Sequence, residues 1–146
     1  MKTVGEVMLK NVPILSPDEP LKKVAKIMKE NRIWGLPVVG KGRIEGIITD
    51  GDILNAFYLN VSSFSYEEKP GGEKEKFSKR IREFHEMKVK DVMTMQPRTV
   101  HESVGVDEAA TQLKRFKIKR LIVVDGDGKP IGLVERLNIV DSILSE

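Results

Sequence analysis

Apolar positions in this chain fall into two blocks with the same internal rhythm. Leu21, Val24, Ala25 and Met28 recur at i, i+3, i+4 and i+7, the spacing of one helix face. Val106, Ala109, Ala110 and Leu113 reproduce it further along. Ser16-Pro17-Asp18-Glu19 precedes the first helix with capping side chains and acids suited to a helix's positive end. After each helix the pattern changes to β-branched runs. Leu36-Pro37-Val38-Val39 and Arg43-Ile44-Glu45-Gly46-Ile47-Ile48, separated by Gly40-Lys41-Gly42, predict a hairpin. Leu121-Ile122-Val123-Val124 and Pro130-Ile131-Gly132-Leu133-Val134, on either side of Asp125-Gly126-Asp127-Gly128, predict a second. Pro37 has no N–H to give a ladder and is expected at a strand start or edge. Short extended stretches, Val12-Pro13-Ile14-Leu15 and Arg98-Thr99-Val100, come before the helices, and a second helix closes each block, near 51–58 and 137–144.

The two blocks are one unit written twice. Thr3-Val4-Gly5-Glu6-Val7-Met8 returns 85 positions later as Lys88-Val89-Lys90-Asp91-Val92-Met93. Ile33, Leu36, Val38 and Val39 return as Ile118, Leu121, Val123 and Val124. One residue is inserted in the second turn, and Gly46 and Ile53 then return as Gly132 and Ile139, at an offset of 86. The division that follows is repeat 1 over 1–59, a linker over 60–87 and repeat 2 over 88–146. A duplicated unit of this size predicts two half-modules packed face to face, with function in the clefts between them. Within the linker, 60–72 reads as a loop and 73–87 as a charged helix. Phe77, Ile81, Phe84 and Met87 make a narrow apolar stripe on that helix, and Glu75 precedes Lys79 at i, i+4. The stripe is expected to pack on the module or a partner subunit; docking of a separate partner is the other reading.

Composition narrows the function. The chain has 146 residues and 40% hydrophobic content, enough for one compact domain or two very small ones that share a core. Its longest apolar runs are a few residues, far below the roughly 20 needed to cross a bilayer. No apolar signal region follows Lys2, so the chain reads as cytoplasmic. Cysteine is absent, which removes disulfides, thiol nucleophiles and thiolate metal sites. A net charge of +3 from 25 basic and 22 acidic side chains favours anionic ligands slightly and points only weakly to nucleic acid. His85 and His101 are not spaced as metal ligands and stand beside no evident nucleophile. Nothing pairs a nucleophile with a base, so no catalytic residue is assigned, no metal is expected, and the chain is not read as an enzyme.

The strongest chemical signal is Gly46-Ile47-Ile48-Thr49-Asp50-Gly51-Asp52. Here a strand delivers the chain to a helix N-terminus, where N–H groups and the dipole attract an anion. The Thr49 hydroxyl can donate to a phosphate, the Asp52 carboxylate can accept both hydroxyls of a ribose, and Gly51 leaves room for close approach. Thr49-x-x-Asp52 is equally a capping box, which accounts for both residues without a ligand. Repeat 2 departs from the pattern: Glu135 replaces Thr49 and Asn138 replaces Asp52. Glu135 puts a negative charge where a phosphate would lie, at a repulsion of about 1 kcal/mol in water and several at intermediate dielectric.

In its Val-Met openings, Leu-Pro-Val-Val strand and Gly-Ile-Ile-Thr-Asp-Gly-Asp exit, the chain resembles a tandem pair of cystathionine β-synthase (CBS) domains, a Bateman module. The resemblance covers 4–57 and 89–144. It implies an α+β fold: two β-α-β-β-α repeats related by pseudo-twofold symmetry, joined here by a helical linker. It implies a regulatory module that senses an adenosine-containing ligand (AMP, ADP, ATP or S-adenosylmethionine), catalyses nothing itself, forms a homodimer and acts on a regulated protein partner. It also assigns a main cleft to Ile14, Leu15, Val38, Thr49, Gly51 and Asp52, with Lys119 and Arg120 of the other repeat reaching the phosphates. Lys119 and Arg120 have a second reading, as part of a solvated basic patch with Lys114, Arg115 and Lys117. A second, weaker cleft falls to Thr99, Val100, Val123, Asn138 and Arg136, with Arg32 and Trp34 at its mirror positions. Trp34 either stacks on a base or packs partly buried. Two rival functions remain: a nucleic-acid-binding adaptor using the basic run 74–90, and a structural interaction module with empty clefts.

Overall fold

The computed structural model describes residues 1–62 and 73–146, with residues 62 and 73–75 described in backbone only. The loop read over 60–72 falls outside these residues except at its start, and the Glu75–Lys79 pair rests on a Glu75 side chain that lies outside the description too. Among the described residues the chain forms helices and two three-stranded sheets, divided into two compact units. One unit combines Ile14–Lys41 with Glu45–Met95; the other combines Met1–Pro13, Gly42–Ile44 and Gln96–Glu146. Each unit therefore carries most of one repeat and the opening segment of the other.

In the first unit, α2 (Leu21–Asn31) buries Leu21, Val24 and Met28, while Ala25 stays exposed at the edge of its apolar face. Its N-terminus is not capped as the sequence suggests. Pro20 is the cap and offers no side chain. The Leu21 N–H instead donates to the Met87 carbonyl at 2.8 Å, and the Val89 and Lys90 N–H groups donate to Glu19 and Pro17 at 2.8 and 2.9 Å. Backbone pairing thus satisfies the helix start, and Asp18 is left to bind Lys90 at 3.1 Å and Lys88 at 3.7 Å. The Lys90 ammonium, with Lys88 behind it, holds the Asp18 carboxyl below the usual carboxylate range.

Strands β1 (Gly35–Gly40), β2 (Arg43–Thr49) and β3 (Thr94–Met95) make the first sheet in that order. Lys41 and Gly42 both have positive φ, 53° and 74°, as a two-residue hairpin turn twisted to match its strands requires. Pro37 lies inside β1, an edge strand of this sheet, where its carbonyl accepts from Leu15 at 2.9 Å. The stretch 12–15 is less regular than expected and pairs through a single bridge, Leu15 to Val38. Helix α3 (Asp50–Phe57) follows β2 and runs into a π-helical turn, Tyr58–Ser62, where the sequence suggested the linker loop had begun. Helix α4 (Glu73–Glu86) carries Phe77, Ile81 and Phe84 of the predicted stripe, Met87 follows just past its end, and all four are half-buried. The Phe84 ring meets Phe57 edge-on at 5.8 Å, so α4 packs on its own repeat.

The second unit repeats the plan with α5 (Val106–Arg115), β4 (Thr99–His101), β5 (Arg120–Val124), β6 (Pro130–Glu135) and α6 (Arg136–Leu144). Here β4 is a true strand, parallel to β5, and β5 pairs antiparallel with β6. Asp125 Oδ1 closes the turn by accepting from the N–H groups of Asp127 and Lys129 at 2.9 and 3.0 Å. The core gathers Val100, Val106, Ala109, Leu113, Leu121, Val123, Val134 and Ile139 around Val4 of α1 (Val4–Val7). Each such aliphatic side chain contributes about 1.5–3 kcal/mol by leaving water.

Val4 in that core shows what the repeated Val-Met openings do. Leu9, just after Met8, exchanges two backbone hydrogen bonds with Leu133 in β6, at 2.8 and 3.1 Å. A Cβ on Gly132 would lie 2.6 Å from both the Leu9 carbonyl and the Met8 sulfur. In the first unit, a Cβ on Gly46 would lie 2.6 Å from the Met93 sulfur and 2.7 Å from the Thr94 carbonyl. Each opening segment lies across the glycine of the other repeat's exit strand, and both glycines are bare because a methionine and a backbone occupy the space.

Candidate functional site

The strand–helix turn of the first unit is built around Thr49, whose extended backbone makes it the N-cap of α3. Its hydroxyl oxygen accepts from the Asp52 N–H at 3.1 Å, and Asp52 Oδ2 accepts from the Thr49 N–H at 3.0 Å. The capping box foreseen in the sequence is therefore fully formed, and both residues are half-buried. Asp52 Oδ1 accepts from the Thr94 hydroxyl at 3.0 Å. Thr94 is part of the site and was missed, because its only sequence signal is to follow the Val92-Met93 opening. These bonds leave chemistry unused. Thr49 accepts in the box, so its hydroxyl hydrogen is still available to donate. Each Asp52 oxygen keeps a further lone pair. Gly51 is exposed, and a Cβ there would touch only Thr49 Oγ1, at an ordinary 3.6 Å. The fold does not itself require glycine at this position.

Of the apolar floor expected for this cleft, Val38 is fully buried and Leu15 nearly so; both serve the core. Ile14 is 49% exposed and has surface to offer. Trp34 is 44% exposed, and its carbonyl accepts from the Asp50 N–H at 3.0 Å. Arg32 is exposed and ends α2 in the left-handed conformation, at φ 54°.

The equivalent turn in the second unit has a different chemistry. Asn138 Oδ1 accepts from the Glu135 N–H at 2.8 Å, so an amide supports the same cap. Arg120 stands opposite Glu135 across β5 and β6, with Nε 3.5 Å from Glu135 Oε2 and side-chain exposures of 9% and 21%. Arg120 Nε is buried with no hydrogen-bond partner, so the pair is held by charge more than by aligned bonding. The offset to the Glu135 charge comes from Arg120. Lys119 is exposed, and its carbonyl accepts from the Arg136 N–H at 3.1 Å. Arg136 and Thr99 are exposed, whereas Val100 and Val123 are core residues. The solvated-patch reading suits Lys114, Arg115, Lys117 and Lys119, all exposed, but not Arg120. His101 Nδ1 accepts from the Ser103 N–H at 3.1 Å in a local turn. Among the described residues no cluster of three acids or histidines is arranged to hold a metal ion. Nor is any helix among them long and apolar enough to cross a membrane.

The sequence profile of the CBS domain matches residues 4–59 and 89–145. The chain belongs to the CBS domain family. It is a tandem CBS pair, 30% identical over 151 residues to the chloroplastic CBS domain-containing protein CBSX1 of Arabidopsis thaliana. That match covers 97% of this chain and 64% of the plant protein; for CBSX2 of the same plant the figures are 97% and 63% at 29% identity. The chain thus spans under two thirds of the length of these two relatives. A protein of Methanocaldococcus jannaschii is 30% identical, with 96% of this chain and 94% of that one covered. Among solved structures, CBSX2 in complex with AMP superposes with a TM-score of 0.73 at 30% identity, covering 99% and 98% of the two chains. A CBS pair solved with 5′-methylthioadenosine and S-adenosylmethionine shares the fold at a TM-score of 0.77, 23% identity and 99% and 98% coverage.

Proposed function

We propose that this CBS pair is a regulatory sensor of an adenosine-containing ligand of the AMP type, recognised at the Gly46–Asp52 turn. One observation carries the reading: the capping box leaves the Thr49 hydroxyl hydrogen and free lone pairs on Asp52, the donor and acceptors that a phosphate and a ribose need. Gly51, bare without a steric need in the fold, supports close approach by a ligand. A CBSX2 structure in complex with AMP, at 30% identity over nearly the whole chain, supports the same ligand class. Thr94 holds the Asp52 carboxylate in place and is a positioning residue in this reading. Ile14, in the same unit, offers apolar surface to the base. Arg120 is committed to Glu135. The Glu135–Asn138 turn, with its carboxylate, is assigned weak or altered ligand affinity. The protein acts in the cytoplasm as a homodimer without catalysis of its own, passing ligand occupancy to a regulated protein.

The nucleic-acid reading is disfavoured because Phe84, an aromatic of the basic run, is spent on Phe57. The structural-module reading draws on the completeness of the capping box. Thermal shift separates it from the sensor reading: a ligand at 100 times its dissociation constant adds about 2.7 kcal/mol of stability. A panel of AMP, ADP, ATP and S-adenosylmethionine is expected to raise Tm with at least one of them. No shift with any at millimolar concentration supports the structural module.

A further inference from the structure

The four backbone N–H groups of 49–52, where α3 begins, all have acceptors within the turn or beside it. Those of Thr49 and Asp52 are taken by the capping box, at 3.0 and 3.1 Å. The Asp50 N–H donates to the Trp34 carbonyl at 3.0 Å, and the Gly51 N–H donates to Asp50 Oδ1 at 2.9 Å. A helix start usually leaves its first N–H groups free, and with the dipole they draw in an anion. Here none of the four is free, and two of them end on carboxylates. Asp50 is exposed, its Oδ2 accepts no hydrogen bond, and it makes no ion pair among the described residues. The turn itself does not call for an acid. In the second repeat Arg136 stands where Asp50 does, and its N–H makes the same backbone bond, to the Lys119 carbonyl at 3.1 Å.

We infer that Asp50 is a specificity-determining residue that limits the charge of the ligand, admitting an uncharged nucleoside or a monophosphate and disfavouring a polyphosphate. The inference rests on the reading of the Gly46–Asp52 turn as an adenosine-ligand site. A group that comes close at the bare Gly51 finds its N–H already covered by the Asp50 carboxylate. The donor left in 49–52 is the Thr49 hydroxyl, enough for one phosphate contact. Each further phosphate brings negative charge, finds no further donor in the turn, and meets Asp50. Unit charges about 4 Å apart in water repel enough to change affinity about fivefold, and salt screens that effect. Asp52 is a poorer discriminator, because its two oxygens already accept from the Thr49 N–H and the Thr94 hydroxyl. The rival role for Asp50 is structural: an acid in the first turn suits the helix dipole. A structural role acts on every ligand alike, whereas a charge limit acts in proportion to ligand charge.

The test titrates adenosine, AMP, ADP and ATP into the full chain at low ionic strength, with EDTA present so that no divalent cation masks the phosphates. Wild type is expected to bind AMP more tightly than ADP, and ADP more tightly than ATP. Asp50→Asn keeps an oxygen for the Gly51 N–H and removes the charge. It is expected to raise ATP affinity about fivefold, AMP affinity less, and adenosine affinity not at all. The gain for ATP should vanish in 1 M salt, where the screening length is about 3 Å. Asp50→Ala also frees the Gly51 N–H and is expected to bind AMP more tightly than the Asn variant does. Asp50 is exposed, so both variants should keep the wild-type circular dichroism spectrum. ATP bound by wild type as tightly as AMP would overturn the inference, and so would one common factor for all four ligands in Asp50→Asn. In both of those cases the ligand site itself stands. No binding of any of the four to wild type at millimolar concentration would overturn the site reading and this inference together.

Discussion

At the scale of single residues, the chain separates capping from ligand chemistry in a way that substitution can exploit. Thr49 and Asp52 close a helix start in one repeat, and Glu135 and Asn138 do so in the other with an amide in place of the carboxylate. An amide therefore suffices for the cap. Glu135 is tied to Arg120 instead, and with exposures of 9% and 21% this pair lies between the surface and buried cases. Glu135→Gln should destabilise by about 1–3 kcal/mol, read as a lower urea midpoint, because it leaves the Arg120 charge without its partner. Replacing both residues with Met and Leu should recover most of that loss. A single substitution with no effect would show that the pair contributes nothing. The Arg120–Glu135 pairing was hard to foresee because the hairpin register shifts between Val123 and Val124. Thr94 was hidden for another reason: it reaches Asp52 from a two-residue strand 42 positions away, and no local spacing marks it.

At the scale of elements, helices and hairpins were legible wherever apolar periodicity was strong, as in α2, α5 and the β5–β6 pair. The exchange of opening segments was not. Both repeats carry the same Val-x-x-Val-Met opening and the same strand glycine, so a local pattern cannot say which methionine meets which glycine. The α2 start misled for a similar reason: Ser16-Pro17-Asp18-Glu19 looks like a cap, but backbone groups of the exchanged segment arrive first. Gly46→Ala is expected to cost about 1–3 kcal/mol from overpacking. Met93→Ala should not restore it, because the Thr94 carbonyl still lies 2.7 Å from the new Cβ. Denaturant unfolding of the single and double variants checks this, and full rescue would contradict it. Asp18 links the exchanged segment to the approach to α2 through Lys88 and Lys90. Its carboxyl is lowered in the folded state, so its contribution is complete above the unfolded value and disappears as pH falls through the lower folded one. The stability gap between wild type and Asp18→Asn should thus persist at neutral pH and close below about pH 4. A gap unchanged down to pH 2 would show that the ion pairs are not its source.

At the scale of the whole molecule, the duplication preserves the core and diverges at the strand–helix turns. Core positions such as Leu36 and Leu121, or Val38 and Val123, are fully buried in both repeats. The turn that offers Thr49 and Asp52 in one repeat offers Glu135 and Asn138 in the other. The central claim is that the Asp52 carboxylate serves a ligand beyond its role in the cap. Calorimetric titration of AMP into wild type and Asp52→Asn, with Tm measured for both, tests it most directly. Charge-assisted hydrogen bonds contribute about 1.5–3 kcal/mol each, so the variant should bind AMP tenfold or more weakly while its Tm stays near that of wild type. Equal affinity in the two proteins, or no heat from wild type at millimolar AMP, would contradict the account.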